Sequence, residues 1–347
     1  MGRCEIQRDK GVKARQLWFI SPGAVEVKDV ELAALAEDEV LVRTSYSAIS
    51  AGSELLAYRG LLPAGLPLDA SLPGMKDQSS NYPLQYGYAC TGRIEQLGRA
   101  LDSNLIGAKV FAFSPHASHF VSKIDELIVL PDYLSEEAGI FIANMETAVN
   151  LRKDGEIKAG DAVAILGLGV VGQLLAALLD PTAKKSLCLL DGIASRRKMA
   201  SVLDSAQLMP PEISLIRELV SEAGFDLIYE LSGNPEALNM AIELSNFAGR
   251  IIIGSWYGEK PGRINLGGKF HRNRLQLISS QVSSINPKFQ DSWSKEQRMQ
   301  ETLEAIRFCK PERLITHRFI LADADQAYRL LDEAPGQAMQ VIFEYGD

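Results

Sequence analysis

An apolar run of 18 residues, AVAILGLGVVGQLLAALL over 162–179, sets the tightest limit on how this chain folds. It approaches membrane-spanning length. Three glycines crowd its middle, Gln173 interrupts it and Asp180 closes it, so a buried strand, a tight turn and a buried helix explain it better than a spanning helix. A strand that runs into G-x-G-x-x-G and then into a helix has a specific physical use. Gly167 permits the tight turn, Gly169 lets backbone approach a pyrophosphate, and Gly172 lets helix and strand pack closely, while the helix N-terminus offers N–H donors to the anion. Gly167, Leu168, Gly169, Val170, Val171 and Gly172 are therefore candidate dinucleotide contacts.

Strand patterns over 162–166, 186–190, 227–231, 250–253 and 275–279 alternate with amphipathic helical patterns. Their near-continuous hydrophobicity predicts a parallel sheet buried by helices on both faces. The second strand runs into Asp191, about 20 residues past the glycines, where a carboxylate can accept from the adenine ribose hydroxyls and repel a 2′-phosphate. That favours NAD(H) over NADP(H). Arg196 and Arg197 stand against it, since an arginine at the ribose accommodates the phosphate; their plain alternative is a solvated helix face. Asp191 has its own alternative, a helix cap or turn residue. Leu231, Ser232, Gly233, Gly254, Ser255, Trp256 and Ser279 follow later strands, where a doubly wound sheet opens its binding crevice.

Residues 16–130 show short β-rich runs such as EVLVRTSYSAIS and KVFAF, separated by Gly, Pro and Asp, which predict a compact barrel-like domain. Within them, 61–82 is rich in Pro, Gly, Ser and Leu without a period and reads as a long loop, a lid or a disordered stretch. After Pro131, SEEAGIFIANMETAVNLRK reads as helix, and from Arg313 a strand, a helix and a strand return to the first domain. The expected class is α/β, with a β-rich domain over 1–145 completed by 290–347 and a doubly wound dinucleotide domain over 146–289. The formal net charge of -8 disfavours nucleic acid and anionic membranes as partners. Cys4, Cys90, Cys188 and Cys309 lie far apart, with neither structural-zinc spacing nor disulfide density, which fits a reducing cytoplasm. The first residues carry no secretion signal, and Ile6 stands where myristoylation needs Ser or Thr.

With VLVRTSYSAIS, PLQYGYACTGRIEQLG, METAVN, GLGVVG, FDLIYELSG, GRIIIGSWYG, RLQLISSQ and ITHRF in that order, the chain resembles the medium-chain dehydrogenase/reductase superfamily over nearly its whole length. Within it, the chain is most similar to a zinc-lacking branch akin to bacteriochlorophyllide dehydrogenases. The resemblance implies a GroES-like catalytic domain, a Rossmann domain and, as is common in such proteins, a dimer. Zinc-dependent members carry Cys, a His-Glu pair and a third ligand where this chain has Ser50 or Ala51, Tyr88 with Ala89, and Ala143 or Asn144. Those side chains do not make a zinc site, so no metal is expected. His116 and His119, three apart, point to opposite faces in a strand or loop; they read as polar residues at a barrel loop, or His116 lines the cleft.

Hydride transfer needs a proton donor or acceptor besides the cofactor. The Ser53-Glu54 pair resembles the start of the family's proton relay, and Tyr88 offers either a phenolic acid or a packed aromatic in the vacated ligand volume. Thr147 resembles the residue that contacts the nicotinamide; Glu146 beside it is either catalytic or solvent-facing. The implied function is a zinc-independent NAD(P)(H)-dependent interconversion of an alcohol and a ketone or aldehyde on a medium-sized small molecule. The alternatives are an enoyl or quinone reductase, and a nucleotide-binding protein without turnover.

Overall fold

A computed structural model of the chain describes residues 11–65, 67–68, 79–179, 187–201, 203, 206–219 and 224–346. Cys4, Ile6, Asp180 and the middle of the 61–82 stretch lie outside them. The chain opens on an antiparallel hairpin, β1 (Lys13–Ser21) and β2 (Ala24–Glu31), whose turn uses Gly23 at φ 76°. Strand β3 (Glu39–Ala48) leads into the short helix α1 (Glu54–Arg59). Then β4 (Cys90–Leu97), β5 (Lys109–Ala112), β6 (His119–Lys123) and β7 (Ile128–Val129) build a sheet with β3.

The single helix expected after Pro131 is two. Ser135 caps α2 (Glu136–Gly139) by accepting from Ala138 N–H at 3.1 Å, and α3 (Ile142–Gly155) starts after a turn at Ile140 and Phe141. The turn follows from packing: a Cβ on Gly139 would stand 2.8 Å from Leu130 and 3.0 Å from Thr91, so a glycine brings the chain onto the barrel there.

From β8 (Val163–Leu166) and α4 (Val170–Leu179) the chain alternates through β9 (Leu187–Leu190), α5 (Ala194–Ala200), β10 (Ala206–Met209), α6 (Ile213–Leu219), β11 (Phe225–Glu230), α7 (Ala237–Leu244), β12 (Ser245–Ile253) and β13 (Gln276–Ser279). These strands form one six-stranded parallel sheet in the order β10-β9-β8-β11-β12-β13, the doubly wound dinucleotide topology with β8 at the switch point. The five predicted strands are present, β12 starting earlier at Ser245. The sixth, β10, carries only one buried residue, Met209, and so lacks the continuous apolar run that marks the others.

Helix α8 (Lys295–Cys309) begins in a capping box between Ser294 and Gln297 and packs on α3 and α4. Beyond it, β14 (Ile315–Ile320), α9 (Ala324–Glu333) and β15 (Gln340–Glu344) return to the first domain as expected. Strand β15 lies between β14, to which it is parallel, and β3, to which it is antiparallel with Phe343 opposite Ser47. Ala324, Ala327, Tyr328 and Leu331 supply the buried stripe of α9 at helical spacing. Among the described residues, no helix is long and apolar enough to cross a membrane.

Candidate active site

The turn after β8 fits a dinucleotide pyrophosphate. Gly167 has φ 100°, and a Cβ on it would lie 2.6 Å from the Leu231 carbonyl and the Ser232 nitrogen, so this turn presses on the backbone that leaves β11. A Cβ on Gly172 would lie 2.1 Å from the Gly167 oxygen, which fixes α4 against the turn. Gly169 differs: nothing stands within 4 Å of its missing Cβ, leaving an open cradle beside the N-terminus of α4. Leu168 is wholly buried in this turn, while Val170 and Val171 are partly buried where the helix starts.

Asp191 sits at the mouth of the next strand, 7% exposed. Its Oδ2 accepts the Leu168 N–H at 2.7 Å and its Oδ1 the Ile193 N–H at 2.7 Å. Each oxygen keeps a second lone pair, so the turn role and a ribose role are compatible. Arg196 stands 3.8 Å from Oδ2 and donates to the Pro335 carbonyl, while Arg197 donates to the Asp191 carbonyl. Both arginines are thus tied to protein atoms and are not merely a solvated helix face.

Across the crevice, the chain beyond β11 is organised by Glu230, which the sequence reading missed. This carboxylate is fully buried and accepts from Ser232 N–H (2.8 Å), the Ser232 hydroxyl and the Tyr257 hydroxyl (2.6 Å). Burial, then the charge of Glu230, push the Tyr257 phenol far above its ordinary range. Gly233, at φ 69°, donates to Ser255 Oγ at 2.9 Å, and Lys260 closes on the Gly233 carbonyl at 2.8 Å. The available signal was an ionisable residue ending the apolar strand FDLIYE. Gly254 packs against Leu231 and Leu151, whereas Trp256 is 41% exposed and Ser279 is exposed at the end of β13.

In α3, the Thr147 hydroxyl donates to the Ala143 carbonyl at 3.0 Å. The solvent-facing alternative for Glu146 is overturned. Its carboxylate is buried and paired with Arg298 of α8 at 2.9 Å, and Arg298 also donates to Asn150 Oδ1 at 2.9 Å. Burial raises the Glu146 carboxyl above the usual range while Arg298 pulls it down. The partner is 152 residues away, beyond any local pattern.

Ser50 and Tyr88, at two of the positions where zinc-dependent relatives are expected to carry ligands, form a cluster of hydroxyls with Ser53. Tyr88 donates to Ser50 Oγ at 2.6 Å, and Ser53 Oγ lies 3.1 Å from the same phenol. Ser53 occupies the N-cap position of α1, but its side chain makes no cap bond, so it is available to Tyr88. Next to it, Glu54 is wholly buried and accepts from Ser50 N–H (2.8 Å), His116 Nε2 (2.9 Å) and the Tyr328 hydroxyl. Of the two expectations for His116, the loop position holds and the cleft wall is corrected. It stands in the loop between β5 and β6 but is fully buried rather than lining the cleft, with Nδ1 2.7 Å from Ser47 Oγ, which in turn lies 2.8 Å from the Tyr345 hydroxyl. His119 lies apart, 3.5 Å from Glu95 on the barrel surface. Among the described residues, no group of three or more His, Cys, Asp or Glu side chains is placed to hold a metal ion. Three neutral hydroxyls bonded to one another are a poor donor set for zinc.

No family model matches the chain. It is 29% identical to an Escherichia coli K12 zinc-type alcohol dehydrogenase-like protein, YphC, over 67% of this chain and 64% of that protein, just under two thirds of the relative's length. It is 22% identical to the D-guloside 3-dehydrogenase of E. coli K12 over 94% of this chain and 99% of that one. Among solved structures, the 2R,3R-butanediol dehydrogenase of Bacillus subtilis superposes with a TM-score of 0.76 at 17% identity, covering 95% of this chain and 99% of that one. Other proteins of this fold were solved with NADP and with NADH. A β-rich domain joined to a six-stranded parallel Rossmann sheet is the fold that this chain shares with those structures, and its sequence is similar to zinc-type alcohol dehydrogenase-like proteins.

Because Arg298 answers two buried acceptors, Arg298→Met is expected to lower stability in urea by about 3–5 kcal/mol, the cost of leaving a buried charge alone. Replacing Glu146 by Leu in the same chain should return most of that loss, and two independent, additive losses would refute the pairing.

Proposed function

We propose that this chain is a zinc-independent oxidoreductase that prefers NAD(H) and interconverts an alcohol and a ketone or aldehyde on a medium-sized small molecule. The observation that carries the reading is the hydroxyl cluster in which Ser50 and Tyr88, standing where zinc-dependent relatives carry ligands, meet Ser53 of the relay pair. Supporting it are the open cradle at Gly169 and the carboxylate of Asp191 at the mouth of β9. The working unit is taken as a catalytic domain over 1–145 and 290–347 with a Rossmann domain over 146–289, acting as a homodimer in the cytoplasm.

When bound, the nicotinamide supplies or takes the hydride. The chain has to orient it and manage the proton. Gly167, Leu168, Gly169, Val170, Val171 and Gly172 would hold the pyrophosphate, and Asp191 the ribose, with Arg196 beside it. Thr147, Leu231, Ser232, Gly233, Gly254, Ser255, Trp256 and Ser279 would line the rest of the cofactor's path. In the reducing direction the carbonyl π bond breaks as its carbon gains the hydride, and the oxygen takes the proton from Tyr88 Oη. Ser53 Oγ, hydrogen-bonded to that phenol and partly exposed, stabilises the phenolate left behind and relays to it a proton taken up from solvent, so the serine ends as a hydroxyl. Glu146 serves this site by holding α3 on α8.

Protein dialysed against a strong chelator and mixed with NADH should oxidise it in the presence of a ketone or aldehyde from a broad panel, with no stoichiometric zinc by elemental analysis. One zinc per chain, or activity restored only by zinc, would sink the metal-free reading; turnover of enals or quinones alone would replace the alcohol chemistry.

Tyr88→Phe should slow single-turnover hydride transfer by roughly 100-fold or more while NADH affinity barely moves. If Ser53→Ala shows that pattern instead, Tyr88→Phe costs only a hydrogen bond of about 1 kcal/mol; near-wild-type rates in both variants reject the cluster as proton donor.

NADH should bind more tightly than NADPH, because a 2′-phosphate would meet the Asp191 carboxylate at short range, and Asp191→Ala should narrow the gap. Calorimetry showing equal or reversed preference in the parent protein would contradict the assignment.

A further inference from the structure

His116 reaches the hydroxyl cluster only through its neighbours Glu54 and Gly87. Its Nε2 lies 2.9 Å from Glu54, and Glu54 accepts the backbone N–H of Ser50, the residue whose hydroxyl accepts the hydrogen bond from Tyr88. On its other side the imidazole faces Gly87, the residue before Tyr88: a Cβ there would stand 3.0 Å from the ring, and Gly87 adopts φ 126°. The one ring therefore lies between Glu54, which holds the Ser50 N–H, and the backbone of Gly87 just before Tyr88.

The donors and acceptors of this floor close without a cation. Tyr345 can donate to Ser47, Ser47 to His116 Nδ1, and His116 Nε2–H to Glu54, which also takes the Tyr328 hydroxyl and the Ser50 N–H. Every side chain in that series except Tyr345, which stands beside β15, is at most 0% exposed. The ionisable groups facing the Glu54 and His116 pair are Tyr328 from α9, Tyr345 from the C-terminal segment and Cys90 from β4. Burial first, then the negative charge of Glu54, holds Tyr328 well above its ordinary range; burial does the same for Tyr345 and for the Cys90 thiol.

We infer that Glu54 and His116 are positioning residues: the pair fixes the Ser50 hydroxyl against the Tyr88 phenol and so sets how readily that phenol gives up its proton. The inference rests on the hydroxyl cluster being the proton site. It predicts that the bond from Tyr88 to Ser50 loosens when the pair is broken, which removes a contact favouring the protonated phenol. The Glu54 carboxylate, where it is neutralised, also ceases to oppose the phenolate. Both effects ease ionisation of Tyr88.

The test uses the full chain alone, with 3-fluorotyrosine in place of tyrosine and the Tyr88 fluorine resonance identified by its loss in Tyr88→Phe. In Glu54→Gln and in His116→Leu the Tyr88 titration midpoint should fall by about 0.7 of a pH unit, the scale of one lost hydrogen bond. His116→Gln, which can still donate to Glu54 and accept from Ser47, should restore the parent midpoint, and Tyr46 on β3, outside the cluster, should not move. An unmoved Tyr88 midpoint in the folded variants overturns the inference, as does a common shift of all tyrosines, the mark of general loosening. If Glu54→Gln does not fold, Ser47→Ala replaces it with the same two outcomes. No substrate enters the measurement, so its result is separate from whether Tyr88→Phe slows hydride transfer.

Discussion

A carboxylate removed from water must be answered by donors, and the buried carboxylate of Glu54 is the contact on which the candidate site rests. Its donors come from three distant parts of the chain: Ser50 just before α1, His116 between β5 and β6, and Tyr328 in α9. Each donor is carried by a different part of the fold, and a buried network held that way tolerates little displacement. The tail is required for the same reason. Strand β15 pairs with β3 and brings Phe343 opposite Ser47, while α9 carries Tyr328 beneath α1. Without that return, the Glu54 carboxylate would lose a donor and the barrel its strand between β14 and β3.

How much of this was legible in the sequence depended on distance along the chain. The turn at Gly167 to Gly172, the five apolar strands and the returning tail are local patterns, each written in consecutive residues, and the structure has them. Strand β10 was not legible because an edge strand with one buried residue carries no apolar run. The break between α2 and α3 was missed because helical periodicity runs through Gly139, and only the approach of Leu130 and Thr91 shows why the chain turns there. The bond between Tyr88 and Ser53 spans 35 residues and that between His116 and Glu54 spans 62. The family resemblance, not any local pattern, brought Ser53 and Tyr88 together as candidates. For His116 the loop position was legible, but nothing in SPHASH pointed to its burial against Glu54.

Asp191 shows how one side chain can serve the fold and, on the proposed reading, the cofactor. With Oδ2 on Leu168 N–H and Oδ1 on Ile193 N–H, the carboxylate is pinned at both oxygens to the glycine turn and to the start of α5. A carboxylate free to rotate could swing away from an incoming 2′-phosphate at the cost of a rotamer change. Here the same motion breaks two charge-assisted hydrogen bonds, each stronger than a neutral one, and disturbs the turn that carries the pyrophosphate cradle. Arg196, 3.8 Å away and already donating to Pro335, would have to leave its own contact to shield the phosphate. Discrimination against NADPH on this reading therefore comes from rigidity: the negative charge cannot retreat without dismantling the turn at Gly167 to Gly169.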